Sequence, residues 1–223
     1  ISLRLVGSEM CIRDRVKCWG VYSYGRLGNL ATQNIGDNAG EMGDALAVTN
    51  LGTGRTATSI SAGLEQNSPH TCAVLDNGSV KCWGRNGNGQ LGIGNTMTMG
   101  DAAGEMGDNL SAVDLGTGRT AVGIATGYAH ACAILDNGLV KCWGANYHGR
   151  LGIGSTTNMG SAAGEMGDNL SYTSLGTGLT PVHIDAGNGH TCAIFDNGSV
   201  KCWGFNQYGN LGLGSTSCLL YTS

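Results

Sequence analysis

HTCAVLDNGSVKCWG, residues 70–84, is the stretch that decides how this chain folds. Nearly the same words return as HACAILDNGLVKCWG at 130–144 and HTCAIFDNGSVKCWG at 190–204. A small and apolar run climbs to Asp-Asn-Gly and a second run leads away, the pattern of two strands joined by a tight turn. Gly78, Gly138 and Gly198 suit the positive φ such a turn requires. If Asp76, Asn77 and Gly78 form a three-residue loop, Leu75 faces Ser79 and Cys72 lands opposite Cys82. The same count sets Cys132 against Cys142 and Cys192 against Cys202. A two-residue loop would place each cysteine beside its partner's neighbour instead.

The hairpin belongs to a longer repeat. KCWG begins at Lys17, Lys81, Lys141 and Lys201, so successive spacings are 64, 60 and 60 residues. The extra four residues of the first interval fall in GLEQNSPH (63–70) and read as a loop insertion. Each unit offers a short strand such as RTAVGIATG (119–127), then the hairpin, then glycine-rich turns such as WGANYHGRLGIG. No segment holds a 3.6-residue apolar period long enough for a helix, so the chain reads as all-β.

The two ends stand apart from the repeats. RLVGSEMCIRD (4–14) and CLLYTS (218–223) resemble translations of the two strands of one transposase adapter used in preparing sequencing libraries. Residues 1–15 and 218–223 are therefore set aside, and the tandem repeats occupy 16–217, incomplete at both ends.

Composition narrows the function. With 40 glycines and 6% aromatic residues, the core must be made of close-packed small aliphatic side chains. A formal net charge of −4 without a basic stripe argues against nucleic acid as partner. No apolar run approaches the roughly 18 residues of a membrane span.

The repeated phrase H-[TA]-C-A-x-[LF]-D-N-G-x-V-K-C-W-G-x-N-x-x-G-x-L-G resembles the repeat of the regulator of chromosome condensation family. The likeness covers essentially all of 16–217. The first unit departs from it, with Tyr22 where Asn86, Asn146 and Asn206 stand and Leu30 where Gly94 stands. The resemblance implies a β-propeller of four-stranded blades, typically seven, of which this chain would be a fragment of roughly three and a half.

Three readings of the cysteines stay open: structural disulfides in an oxidising compartment, buried free thiols, and a metal site shared with His70. Disulfides rank first, since directly opposed strand positions are close enough to bridge. Cys18 would need a partner ten residues earlier, at Ser8, so its partner is expected to be missing.

Each unit also carries an acidic insert, GDNAGEMGD (36–44), GDAAGEMGD (100–108) or GSAAGEMGD (160–168). Asp37, Glu41, Asp44, Asp101, Glu105, Asp108, Glu165 and Asp168 are calcium candidates, because clustered carboxylates suit a hard cation. The bland alternative is a solvated loop, which on a propeller rim would also be a place to meet a partner. GNGQLG (87–92) matches a dinucleotide fingerprint but lacks its βαβ setting. His70, His130 and His190, with Trp19, Trp83, Trp143 and Trp203, read as structural. Asn77, Asn109, Asn169 and Asn197 open N-x-S sequons, which carry meaning in a eukaryotic secretory protein.

No catalytic residue and no cofactor besides the calcium candidate is expected. The first expectation is a non-enzymatic scaffold that binds a protein outside the cell or at its surface. The alternative implied by the resemblance is an intracellular guanine nucleotide exchange factor or chromatin-associated propeller, cytoplasmic or nuclear.

Overall fold

The structure, a computed structural model, describes residues 16–63 and 67–218. The adapter-like residues 1–15 and 219–223 and part of the first-interval insertion lie outside the described residues. The rest is all-β. Three antiparallel sheets follow one another: β1 (Ala57–Ala62), β2 (His70–Leu75) and β3 (Val80–Gly84); β4 (Ala121–Thr126), β5 (His130–Leu135) and β6 (Val140–Gly144); β7 (Pro181–Ala186), β8 (His190–Phe195) and β9 (Val200–Gly204). β2 and β5 are buried at every position, because neighbouring sheets cover both their faces. This explains why the HTCAVL phrase shows little alternation.

The hairpins take the three-residue loop. Leu75 N donates to Ser79 O at 2.8 Å, and Gly78, Gly138 and Gly198 have φ of +76°, +76° and +81°. The register then puts Cys72 opposite Cys82, Cys132 opposite Cys142 and Cys192 opposite Cys202. All three pairs are disulfides, with Cα atoms 4.1, 4.0 and 4.1 Å apart. Cys18 is disulfide-bonded too. The expectation that its partner is missing concerns position 8, which lies outside the described residues. Cys218 is an exposed free thiol.

The expected fourth strand of each blade is corrected to two separate contacts. Met99 and Gly84 exchange backbone hydrogen bonds at 2.7 and 3.1 Å, while farther along Val113 N reaches Val80 O at 2.8 Å. A continuous ladder from Met99 would bring residue 103 opposite Val80, so ten residues are looped out between the contacts. The next unit repeats this with Met159 on Gly144 and Thr173 on Val140. The looped-out residues are the acidic insert, whose glycines, at positive φ, take it away from the strand path.

The second and third inserts each reach back to the preceding unit and fasten it. Asp108 accepts from Thr53 N (2.9 Å) and Thr53 Oγ1 (2.6 Å), and Gly107 N donates to Asn50 O (3.0 Å). Asp168 accepts from Thr117 N and Oγ1 in the same way, and Gly167 N donates to Asp114 O. Behind each clasp lies a buried lysine: Lys81 Nζ donates to Leu51 O (3.0 Å) and Gly107 O (2.7 Å), and Lys141 Nζ to Leu115 O and Gly167 O.

The tryptophans fill the seams between units. Trp83 packs with Val16, Leu27 and Leu51, Trp143 with Leu91 and Val113, and Trp203 with Leu151 and Leu175. Their indole Nε1 atoms donate to Arg26 O (2.8 Å), Gln90 O (3.1 Å) and Arg150 O (2.9 Å) of the preceding unit. The ring needs a glycine beneath it: a Cβ on Gly92 would stand 2.8 Å from Trp143 Nε1. Trp19 is half-buried.

Candidate functional site

Every unit leaves β3, β6 or β9 through the same frame, with Trp-Gly before it and Leu-Gly after it. Inside the frame a buried asparagine shapes the loop. Asn86 Oδ1 accepts from Leu91 N (2.9 Å) while its Nδ2 donates to Asn95 O (2.8 Å). Asn146 holds Leu151 N and Ser155 O, and Asn206 holds Leu211 N and Ser215 O, in the same manner. Backbone bonds from Arg85 N to Pro69 O, Ala145 N to Ala129 O and Phe205 N to Gly189 O tie the loops beside the connections that precede the hairpins. The loops thus gather at the sheet ends opposite the Asp-Asn-Gly turns.

The residues between the fixed positions differ from unit to unit, and they touch across units. Arg85 lies over the Tyr24 ring at 4.9 Å. Tyr147 Oη donates to Asn88 Oδ1 at 3.0 Å, and Arg150 lies 5.4 Å from the Tyr147 ring centroid. His148 and Phe205 have ring centroids 4.9 Å apart, and Phe205 meets Tyr208 edge-on at 5.8 Å. Tyr22, Tyr24, Tyr147 and Tyr208 are all exposed, Tyr208 at 81%. The result is an arc of aromatic rings, amides and guanidinium groups along one face. Segments 20–34, 85–98, 145–158 and 205–217 contain no Asp or Glu, so the acidic residues lie elsewhere. The signal was present in the sequence as the positions where otherwise matching units disagree.

The expected structural residues occupy other places. His70 and His130 are fully buried, and burial holds His70 down at about 4 and His130 well below its ordinary range. His190 is lowered as well, chiefly by burial. His130 Nε2 meets Thr191 Oγ1 at 2.9 Å, joining the second sheet to the third. His70 Nε2, His130 Nδ1 and His190 Nδ1 are buried atoms without a hydrogen bond to any described residue, which suits neutral imidazoles.

The carboxylates weighed for calcium are held by N–H and O–H donors. Glu105 accepts from Gly100 N, Asp101 N and Ala102 N at 2.8, 3.1 and 2.9 Å. Glu41 accepts from Gly36 N and Asn38 N, which lower its pKa, and Glu165 accepts from Ser161 and Ala162 N–H groups. Asp108 and Asp168 are lowered by their threonine bonds, whereas Asp101 is raised by burial and by Glu105 beside it. Asp37 accepts from Asn38 Nδ2 at 2.9 Å, and Asp44 lies in a short 3₁₀ turn. A groove of ≈ 500 Å³ lined by Gly28, Leu30, Val48, Met106, Asp108 and Asn109 runs over the first clasp.

Known proteins share this architecture. The regulator of chromosome condensation (RCC1) repeat matches at residues 67–90, 121–150 and 182–210. The ultraviolet-B receptor UVR8 of Arabidopsis thaliana is 30% identical over 206 residues, covering 90% of this chain and 40% of that protein. The human E3 ubiquitin-protein ligase HERC2 is 28% identical over 199 residues, covering 89% of this chain and 4% of its own. Among solved structures, Prp20p of Saccharomyces cerevisiae superposes with a TM-score of 0.72 at 18% identity, covering 100% of this chain and 49% of that one. Yeast RCC1 (Prp20) bound to Kap60 gives 0.69 at 18%, covering 100% and 48%. The chain spans less than half the length of each of these proteins.

Proposed function

We propose, for a chain built of regulator of chromosome condensation repeats, that it is a non-enzymatic scaffold whose aromatic arc seats a protein partner. The observation that carries this reading is the placement of exposed Tyr24, Tyr147, His148 and Tyr208 at the positions where the repeats diverge. Tyrosine and arginine dominate the energetics of protein interfaces, because they bring large amphipathic surface at low entropic cost. A neighbour in fold, yeast RCC1 (Prp20), was solved bound to Kap60. We further propose that the protein is made in an oxidising compartment, outside the cell or on its surface. The three disulfides of the hairpins support this, since such bonds persist where thiols are not kept reduced.

The test is a binding screen of the full chain against extracellular proteins, repeated with Tyr147→Ala/Tyr208→Ala and, as a rim control, Glu165→Gln. Melting curves establish that each variant is folded. We expect the tyrosine pair to lower affinity by about thirtyfold, the weight of a hot spot of roughly 2 kcal/mol, and the rim variant to bind normally. A partner lost on the rim variant and kept by the tyrosine variant would overturn the reading.

A further inference from the structure

We infer that two of the hairpin turns, at Asn77 and Asn197, are N-glycosylation sites, and that the sequons of the inserts, at Asn109 and Asn169, are not. The inference rests on the secretory reading above. All four asparagines are exposed and each is followed two residues later by serine, so exposure and motif do not separate them. Their hydrogen bonds do.

At the turns the side chain faces out with its nitrogen unused. Asn77 Oδ1 accepts from Ser79 N (3.1 Å) and Ser79 Oγ (2.8 Å), and Asn197 Oδ1 from Ser199 N (3.0 Å) and Oγ (2.7 Å). The amide is thus oriented through its oxygen, and Nδ2 makes no hydrogen bond to any described residue. A sugar there would extend from the tip of a hairpin into solvent and disturb no packing. In the inserts the nitrogen is turned back onto the protein. Asn109 Nδ2 donates to Gly104 O at 2.9 Å, and Asn169 Nδ2 to Gly164 O at 3.0 Å. Both asparagines directly follow the clasp aspartates Asp108 and Asp168, and Asn109 lines the groove shared with the preceding unit. A glycan at either site would crowd the joint between units.

The chemistry is transfer of an oligosaccharide from a lipid-linked diphosphate donor. Nδ2 gives up one hydrogen and forms the bond to the anomeric carbon, while the lipid diphosphate leaves with the bonding pair and takes the proton. Sugars at the turns would dress the sheet ends that lie opposite the aromatic arc and leave the arc bare.

The middle unit supplies a control, because its turn reads Asn137-Gly138-Leu139 and lacks the hydroxyl. Leu139 is 45% exposed, so Leu139→Ser creates a third turn sequon without opening the core. The experiment is peptide mapping, with and without enzymatic deglycosylation, of the full chain secreted from cultured eukaryotic cells. Free thiols are alkylated without reductant in the same samples. We expect glycan on Asn77 and Asn197, none on Asn109 or Asn169, a third site at Asn137 in Leu139→Ser, and loss of one glycan in Asn77→Gln. Bare turns together with paired cysteines would overturn the site assignment while leaving the secretory reading standing. Occupied insert sites would overturn it equally. Bare turns with alkylated hairpin cysteines would overturn the secretory reading, and this inference with it.

Discussion

Leu30 has φ of +59°, the left-handed conformation that side chains other than glycine rarely adopt, and its counterpart Gly94 has φ of +70°. The first unit therefore keeps the backbone of the repeat while carrying a residue that opposes it. The Leu30 side chain is 49% exposed, so little burial offsets the strain. Leu30→Gly is expected to raise stability by about 1 kcal/mol, read as an increased denaturant midpoint with unchanged slope. A lower midpoint would mean that contacts of the leucine outweigh the strain. Tyr22 is a parallel case, since it stands where Asn86 and its equivalents bond their loop from within. Both departures were legible in the sequence as mismatches to the repeat. Their cost was not, because it depends on a backbone angle and a hydrogen-bond geometry that letters alone do not carry.

Among the elements, the hairpin was fully legible and the outer strand was not. Asp-Asn-Gly sets loop length, loop length sets register, and register sets which cysteines meet; each step is local in sequence. The outer contact at Met99 and Val113 depends on ten residues leaving the ladder and binding the previous unit, which no local rule encodes. The clasp that results makes its own prediction. Thr117→Val removes the hydroxyl that donates to Asp168 but leaves the backbone bond in place. We expect a modest loss of stability, read as a lower denaturant midpoint with unchanged slope, because the acceptor is charged but solvent-exposed. Asp168→Asn combined with Thr117→Val should cost less than the sum of the two single changes, since they share one interaction. Additive losses would show that the clasp is not a unit. The acidic insert thus has a place in the fold that its composition, which pointed towards calcium or a solvated loop, did not disclose. The aromatic arc was hidden for the opposite reason: it consists of positions that a search for repetition passes over.

Across the whole molecule, the histidines that open the middle strands, one of which ties the second sheet to the third through Thr191, give stability a defined dependence on pH. His70 sits at about 4 against an ordinary 6.5, and His130 and His190 are lowered by burial as well. A lowered imidazole is neutral in both states above 6.5, so its contribution is fully present there. As pH falls from 6.5 towards 4 the unfolded chain takes up protons that the folded chain refuses, and stability drops. His70 alone accounts for about 2 kcal/mol at pH 5. Melting temperature should therefore fall steeply over this window, and His70→Gln should flatten part of the slope. A flat profile between 6.5 and 5 would place the imidazoles in contact with water. The two clasps described above, Asp108 on Thr53 and Asp168 on Thr117, are the same joint made twice with the same atoms. Such a joint recognises that a neighbour is a repeat but carries no mark of which repeat it is. Order along the array is therefore written outside the clasps, in the variable loops and in contacts made at one interface alone, such as His130 on Thr191. Permuting or duplicating whole units would preserve the clasps while presenting a different succession of side chains on the open face, so new specificities can be reached by shuffling, with the clasped frame kept.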